Sequence, residues 1–269
     1  MKAILKYPGA KNRLAPWICR YIPEHKVYLE PFAGSLAVFF NKPKSYIETV
    51  NDLDGEIINF FKVVRDSADE LKSKLAYTPY ARQEYDLAFE SCTDEVERAR
   101  RFCIRCWMGF GNGSIRYRNG FKTGQQKSSP NPAKMWSELP DVIDIASERL
   151  KGVQIECQPA LALIEKYNTS DVFIYADPPY LQETRKKNIY NFEMTDADHI
   201  KLLTCLARHP GKVLISGYDN ALYNDILTGW DKIQKETTAE CGKRRVETLW
   251  ANYSLGYRQS TIQELLENC

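Results

Sequence analysis

Val172-Phe173-Ile174-Tyr175-Ala176-Asp177-Pro178-Pro179-Tyr180 is the stretch on which the reading of the fold turns. Its first five residues read as a buried strand. The next four put a carboxylate, a stiff backbone and an aromatic ring at that strand's carboxyl end. In open α/β sheets ligands bind beyond the carboxyl ends of strands, and consecutive prolines there fix φ and leave carbonyls without neighbouring N–H groups. An acidic turn after a buried strand has the same local sequence, so the surrounding chain must decide.

Upstream, Val27-Tyr28-Leu29-Glu30 reads as a second strand that turns through Pro31-Phe32-Ala33-Gly34-Ser35. A helix is expected from Leu36, carrying Ala37, Val38, Phe39 and Phe40. Such a unit offers helix N-terminal N–H groups and a close backbone approach at Gly34. It lacks G-x-G-x-x-G, which disfavours a pyrophosphate dinucleotide and favours a cofactor without phosphate. A third strand, at residues 46–50, ends at Asn51-Asp52, with Asp52 eighteen residues past Gly34. An acid at roughly this distance bonds ribose hydroxyls in nucleotide-binding sheets, so Asp52 is a candidate ribose ligand as well as a plain turn residue. Asp54 is placed to cap a helix with Ile57, Ile58, Phe61 and Val64 inward.

The chain has 269 residues, 43% hydrophobic and 27% charged, enough for one large domain or one domain with an inserted lobe. Its net charge is only +2, so affinity for a polyanion must come from where the basic residues sit. Eight scattered cysteines in a chain of this size predict reduced thiols and a cytoplasmic setting. Cys103 and Cys106 form a lone C-x-x-C without a second ligand pair, which reads as helix packing, and no metal is expected. Met1 to Pro8 contains no apolar leader, and no uncharged run approaches the ~18 residues of a membrane span, so no membrane contact is expected.

Near the N-terminus, Lys6-Tyr7-Pro8-Gly9-Ala10-Lys11 is a turn-prone hexapeptide before a helix starting close to Ala15, with Leu14, Trp17, Ile18, Tyr21 and Ile22 on its apolar side. Residues 67–108 read as helices, the last with Val96, Ala99, Cys103 and Trp107 on one stripe. From Arg98 to Ser137 there are nine basic residues (98, 100, 101, 105, 116, 118, 122, 127 and 134) and no acid, the expected electrostatic footprint of the protein. Within it, residues 109–120 combine Gly, Asn, Arg and aromatics, the chemistry of a loop that meets phosphates and base edges. Asn112 and Arg116 suit bases, and Lys122 and Lys127 suit phosphates.

Regular α/β patterning resumes with a helix from residue 141, a strand at 153–157, a helix at 159–167 and then the opening strand. Residues 181–191, with Arg185, Lys186 and Lys187, lack a period, as a loop over a site would. Thr195 and Asp198 form a cap for a helix with Ile200, Leu203 and Leu206 on its apolar stripe and a structural His199. A strand at 212–218, a short helix at 220–227 and a final strand at 246–253 complete the chain. The expected division is a catalytic domain of residues 1–65 and 151–269 around a lobe of residues 66–150.

Taken in order, Lys6 through Lys11, Glu30-Pro31-Phe32-Ala33-Gly34, Asn51-Asp52, Asn112-Gly113 through Arg116, and Asp177-Pro178-Pro179-Tyr180 resemble the Dam-like, α-group N6-adenine DNA methyltransferases over nearly the whole chain. The resemblance implies a Rossmann-like, S-adenosylmethionine-dependent methyltransferase sheet, mostly parallel with one antiparallel strand, and an inserted, mainly helical DNA-recognition lobe. It implies S-adenosyl-L-methionine surrounded by Tyr7, Lys11, Glu30, Phe32, Gly34, Asp52 and Asp177. It also implies double-stranded DNA held by Lys6, Asn112, Ser114, Arg116, Arg118 and Lys122, and a monomer acting in the cytoplasm of a bacterium or phage-infected cell. Arg116 matches a base-reading arginine of members that methylate GATC, whereas Gly111 and Ser114 depart from that pattern. Two further departures concern the cofactor. Leu36 stands where a second glycine is usual, and Pro159 where an acid is usual, which leaves a backbone carbonyl or Gln158 as acceptor.

The chemistry of the catalytic tetrad Asp177, Pro178, Pro179 and Tyr180 follows from the target amine. Its lone pair is delocalised into the purine and must be localised to attack. Accepting its two N–H bonds with Asp177 and a carbonyl, that of Pro178, turns the lone pair toward the methyl donor. An adenine inside a duplex cannot reach such a pocket, so it must flip out, with Tyr180 placed to stack on it. A catalytically silent DNA-binding relative and an RNA methyltransferase are the alternatives.

Overall fold

The computed structural model describes residues 1–111, 115, 117–124, 131–182, 190–238 and 244–256. Seven strands, β1 (Val27–Glu30), β2 (Ile47–Asn51), β3 (Gln154–Glu156), β4 (Val172–Ala176), β5 (Lys212–Gly217), β6 (Asp231–Thr238) and β7 (Arg244–Ala251), form one sheet in the order β3-β2-β1-β4-β5-β7-β6. The first five run parallel, and β7 pairs antiparallel with both β5 and β6. This is the mostly parallel sheet with one reversed strand that the family resemblance implies.

Among the described residues ten helices accompany it: α1 (Ala15–Cys19), α2 (Gly55–Asp66), α3 (Ala68–Ala76), α4 (Arg82–Leu87), α5 (Glu95–Met108), α6 (Pro132–Ser137), α7 (Leu139–Leu150), α8 (Ala160–Lys166), α9 (Asp196–Ala207) and α10 (Ala221–Ile226). Side chains of a strand alternate between faces, and the two apolar clusters divide accordingly. Tyr28, Phe173, Tyr175, Leu214 and Leu249 join a cluster with residues of α1, α2, α3, α5 and α7. Leu29, Ile174, Ala176, Ile215 and Trp250 join another with α8, α9 and α10. β4 is buried along its whole length because helices cover both faces, which explains its unbroken apolar run. Helices drawn from residues 66–150 thus share a core with the sheet, including Leu71, Phe102, Trp107 and Val142.

Sequence expectations were met for the start of α1, at Ala15 with Pro16 in its first turn, and for α2, capped by Asp54, but α1 ends at Cys19 and leaves Leu14, Tyr21 and Ile22 outside the helix, though buried. Three others differ. No helix forms at Leu36: that residue lies in the left-handed region at φ 55°, and residues 37–41 are turns, with Phe40 N–H donating to the Leu36 carbonyl at 2.9 Å. Full burial of Leu36 and Phe39 decides the backbone against helical propensity. Ile200 is 44% exposed, and the inner face of α9 is instead His199, Leu202, Leu203 and Leu206. His199 is structural, as expected, buried with Nδ1 3.0 Å from the Tyr223 hydroxyl. Finally, β6 had no counterpart in the sequence reading. Asp-Lys-Ile-Gln-Lys-Glu-Thr-Thr looks like solvated loop, yet an edge strand needs only one packed side and tolerates charge.

Candidate active site

From β1 the chain moves to β2 on one side, while β4 and β5 lie on the other, so the strand order reverses between β1 and β4. Ligand sites of open α/β sheets form at such a reversal. Glu30 ends β1, Asp52 follows β2 and Asp177 follows β4, which places three acids along the carboxyl edge. Tyr7, Lys11, Glu30, Phe32, Gly34, Asp52 and Asp177 all line one cavity of about 350 Å³, together with Pro179. Pro178 and Tyr180 lie beside it.

Gly34 adopts φ 48°, a conformation that favours glycine, and Tyr7 lies against it, a Cβ there meeting the Tyr7 ring at 3.6 Å. The Gly34 N–H donates to Asp52 Oδ2 at 2.9 Å, and the Asp54 N–H donates to Oδ1 at 2.9 Å. Burial pushes the Asp52 carboxyl up to about 6, partly offset by these backbone donors. Asn51, wholly buried, ties three loops: its Nδ2 donates to the Pro31 carbonyl at 2.9 Å and the Gln158 carbonyl at 3.0 Å, and its Oδ1 accepts from Gln158 N–H at 3.0 Å. The Gln158 side chain is engaged elsewhere, with Glu156 at 3.0 Å and Lys166 at 2.9 Å. Pro159, Ala160 and Leu161 line the cavity instead.

Glu30 is buried beside Tyr28, whose hydroxyl donates to its Oε2 at 2.5 Å. Burial raises its carboxyl to about 8, so it is mostly protonated at neutral pH. Asp177 is held differently. Lys11 Nζ donates to its two oxygens at 2.8 and 2.7 Å, and the Ser216 hydroxyl donates to Oδ1 at 2.9 Å. Burial alone would lower the Lys11 ammonium, but Asp177 and Glu247, 3.7 Å away, outweigh it and hold it well above the ordinary lysine range. A carboxylate offers about four acceptor positions. Lys11 and Ser216 share Oδ1, whereas among the described residues Oδ2 has Lys11 alone. An acceptor position on Oδ2 therefore remains for a ligand.

Tyr180 packs edge-on against Tyr218, with ring centroids 4.6 Å apart, and donates its hydroxyl to Glu247. Lys11 Nζ lies 4.7 Å from the Tyr180 ring centroid. Glu247 and Ser216 were missed in the sequence. The available signal was an acid at an inward position: Glu247 shares its face of β7 with the buried Leu249 and Ala251. Residues 190–194 also line the cavity. Asn191 Nδ2 donates to Asp54 Oδ2 at 2.8 Å and the Tyr190 hydroxyl to the Pro8 carbonyl at 3.4 Å. Arg185, Lys186 and Lys187 lie outside the described residues.

Of the DNA-contact candidates, Asn112, Ser114 and Arg116 lie outside the described residues, as does Lys127. Lys6 Nζ sits 4.2 Å from the centroid of the Trp107 ring, and Arg118 pairs with Asp86 at 2.7 Å. Lys122 is anchored by its main chain, its N–H donating to the Met108 carbonyl at 2.7 Å. The basic segment is less free than its composition suggests. Arg98 and Arg105 pair with Glu56, Arg100 with Glu84 and Glu97, and Arg101 with Glu97, so the arginines of α5 are balanced by acids outside the segment. Cys103 and Cys106 are buried on α5. Among the described residues no group of His, Cys, Asp or Glu is placed to hold a metal ion, and no helix is long and apolar enough to cross a membrane.

The strand order, the reversed seventh strand, the single-glycine loop and the acids along the carboxyl edge define a Rossmann-like methyltransferase sheet. The sequence model of the D12 class N6 adenine-specific DNA methyltransferases matches residues 7–240, and the chain belongs to that family. It is 32% identical to a DNA N-6-adenine-methyltransferase of Escherichia phage P1, over 83% of this chain and 31% of that protein. A DNA adenine methylase of Salmonella typhi is 28% identical over 95% of this chain and 96% of its own length. The type II methyltransferase M1.LlaDCHI of Lactococcus lactis subsp. cremoris is 28% identical over 91% of this chain and 90% of its own. Family and fold together imply a methyl donor of the S-adenosylmethionine type.

Proposed function

We propose that this protein transfers the methyl group of S-adenosyl-L-methionine to the N6 amine of an adenine flipped out of duplex DNA. The observation that carries this reading is the Asp177 carboxylate, fixed by Lys11 and Ser216 with an acceptor position remaining on Oδ2, on the same cavity as Gly34, Glu30 and Asp52. A nucleoside cofactor without phosphate fits a cavity in which the glycine-loop N–H is committed to Asp52 and not to a phosphate cradle. Tyr7 and Phe32 would flank it, Asp52 would take its ribose, and Glu30 and Lys11 would lie toward its amino-acid end.

When bound, the cofactor supplies an electrophilic methyl on a sulfonium. The chain does the rest. Asp177 and the Pro178 carbonyl accept the two amine N–H bonds, which frees the nitrogen lone pair for attack and stabilises the positive charge that develops on nitrogen. Pro178 and Pro179 hold these acceptors still, and Tyr180 stacks on the flipped base. Residues 66–150 would form the target-recognition lobe, with Lys6, Asn112, Ser114, Arg116, Arg118 and Lys122 on the DNA. The work would be done by a monomer in a bacterial or phage-infected cytoplasm.

The test is incubation with methyl-labelled S-adenosylmethionine and duplex DNA, RNA or neither. Label on adenine N6 of duplex DNA is the expected result. Label only on RNA, or cofactor binding with no transfer to any acceptor, would overturn it.

A further inference from the structure

Glu247 is 3% exposed on a strand whose following residues, Thr248 to Ala251, are all buried. A buried carboxylate is costly, and replacing one by an apolar residue often leaves a fold as stable or more so. Folding alone therefore does not account for an acid here. Its contacts give another reason. β7 runs antiparallel to β5, and the pairing of Gly217 with Thr248 brings Glu247 to the carboxyl edge of the sheet, next to the end of β5 that supplies Ser216. There it accepts the Tyr180 hydroxyl and sits 3.7 Å from Lys11 Nζ, the group that holds both oxygens of Asp177. Lys11 in turn lies 4.7 Å from the Tyr180 ring centroid. Two of the four residues of the Asp177-to-Tyr180 tetrad are thus braced from one buried atom group on a different strand.

We infer that Glu247 is a positioning residue for methyl transfer: through the Tyr180 hydroxyl it sets the tilt of the stacking ring, and through Lys11 it sets the orientation of the Asp177 carboxylate toward the target amine. This rests on the function proposed above. The acceptor role survives in glutamine, which keeps an oxygen in place, whereas the counter-charge to Lys11 does not. Alanine removes both. Tyr180→Phe keeps the ring and removes only the hydroxyl that Glu247 holds. The four states separate a geometric role from a merely structural one.

The experiment measures single-turnover transfer to a duplex containing one target adenine, alongside Kd for S-adenosylmethionine and for the duplex, in wild type, Glu247→Ala, Glu247→Gln, Tyr180→Phe and the Glu247→Ala/Tyr180→Phe pair. Glu247→Ala is expected to slow transfer by roughly tenfold or more while both Kd values stay within about threefold, as misplacement of aligned groups does. Glu247→Gln should recover part of the rate. The double variant should be slower than Tyr180→Phe by much less than the factor Glu247→Ala costs alone, because part of what Glu247 does passes through the missing hydroxyl. Transfer by Glu247→Ala within about twofold of wild type, or two single losses that multiply in full, would overturn the inference. Should Glu247→Ala fail to fold, the same cycle run with Glu247→Gln and Tyr180→Phe decides, and a Tyr180→Phe rate equal to wild type sinks the proposal. Wild-type protein in the same assay reports on the underlying function: no transfer to adenine there removes both, whereas transfer with unaffected variants removes only the role of Glu247.

Discussion

Glu30→Gln tests the electrostatics of the cavity without touching the proposed acceptor. In the ligand-free protein the Glu30 carboxyl is buried at the end of β1, takes the Tyr28 hydroxyl at 2.5 Å, and is raised by burial from 4.5 to about 8. An acid raised in this way is a liability that grows with pH. Below 4.5 both folded and unfolded chains carry the proton and the group has no net effect. Between 4.5 and about 8 the unfolded chain releases it and the folded chain keeps it, so stability falls as pH rises, and above about 8 the loss is complete. At 1.36 kcal/mol per pH unit the whole interval corresponds to about 5 kcal/mol. Glutamine keeps the size and an acceptor for Tyr28 but has no proton to lose. Urea unfolding of the ligand-free wild type and variant, repeated from pH 5 to pH 9, should therefore give curves that start close together and diverge, the variant gaining by several kcal/mol at the alkaline end. Asp52, raised to about 6, gives both proteins a slope of the same sign, which cancels in the comparison. Curves that stay parallel across the range would refute the assignment of a neutral, buried Glu30.

Three further outcomes are expected. Asp177→Ala should abolish methyl transfer while duplex binding, read by anisotropy, stays within about threefold of wild type, since the carboxylate is assigned to the amine and not to the DNA backbone; transfer at the wild-type rate would remove it from the mechanism. Lys11→Met leaves the Asp177 and Glu247 carboxylates without their buried ammonium, which should cost about 3–5 kcal/mol in urea unfolding, and Asp177→Asn in the same chain should restore part of that loss. Gly34→Ala meets the Tyr7 ring only at an ordinary 3.6 Å, so its cost comes from φ 48°, about 1–2 kcal/mol; an unchanged melting temperature would contradict the left-handed backbone.

The parts of the fold that could be read from the sequence were those whose physics is local. β4 announced itself because a strand covered on both faces must be apolar throughout, and α2 because an Asp cap precedes a helical stripe. Where tertiary burial overrides local preference, the sequence pattern and the structure part. Leu36 belongs to a run of helix-forming residues, yet its side chain is buried at φ 55° and the helix never starts. The arginines of α5 looked like a polyanion surface because their partners Glu56 and Glu84 lie outside the acid-free window.

The site divides along the same line. Glu30 ends a strand that can be recognised, Asp52 and Asp177 each follow one, and because parallel strands share one carboxyl edge, three separate strand ends predict one cluster. What arms that cluster is not local. Lys11 reaches Asp177 across 166 residues and Tyr180 reaches Glu247 across 67, and the second pairing depends on β7 running against its neighbours. A parallel seventh strand would carry the beginning of β7, and with it Glu247, to the opposite edge of the sheet. The reversal of one strand thus decides whether the cavity's lysine faces one carboxylate or two, and an inward acid at the start of an antiparallel strand is a feature to look for when a sheet of this order is inferred from sequence.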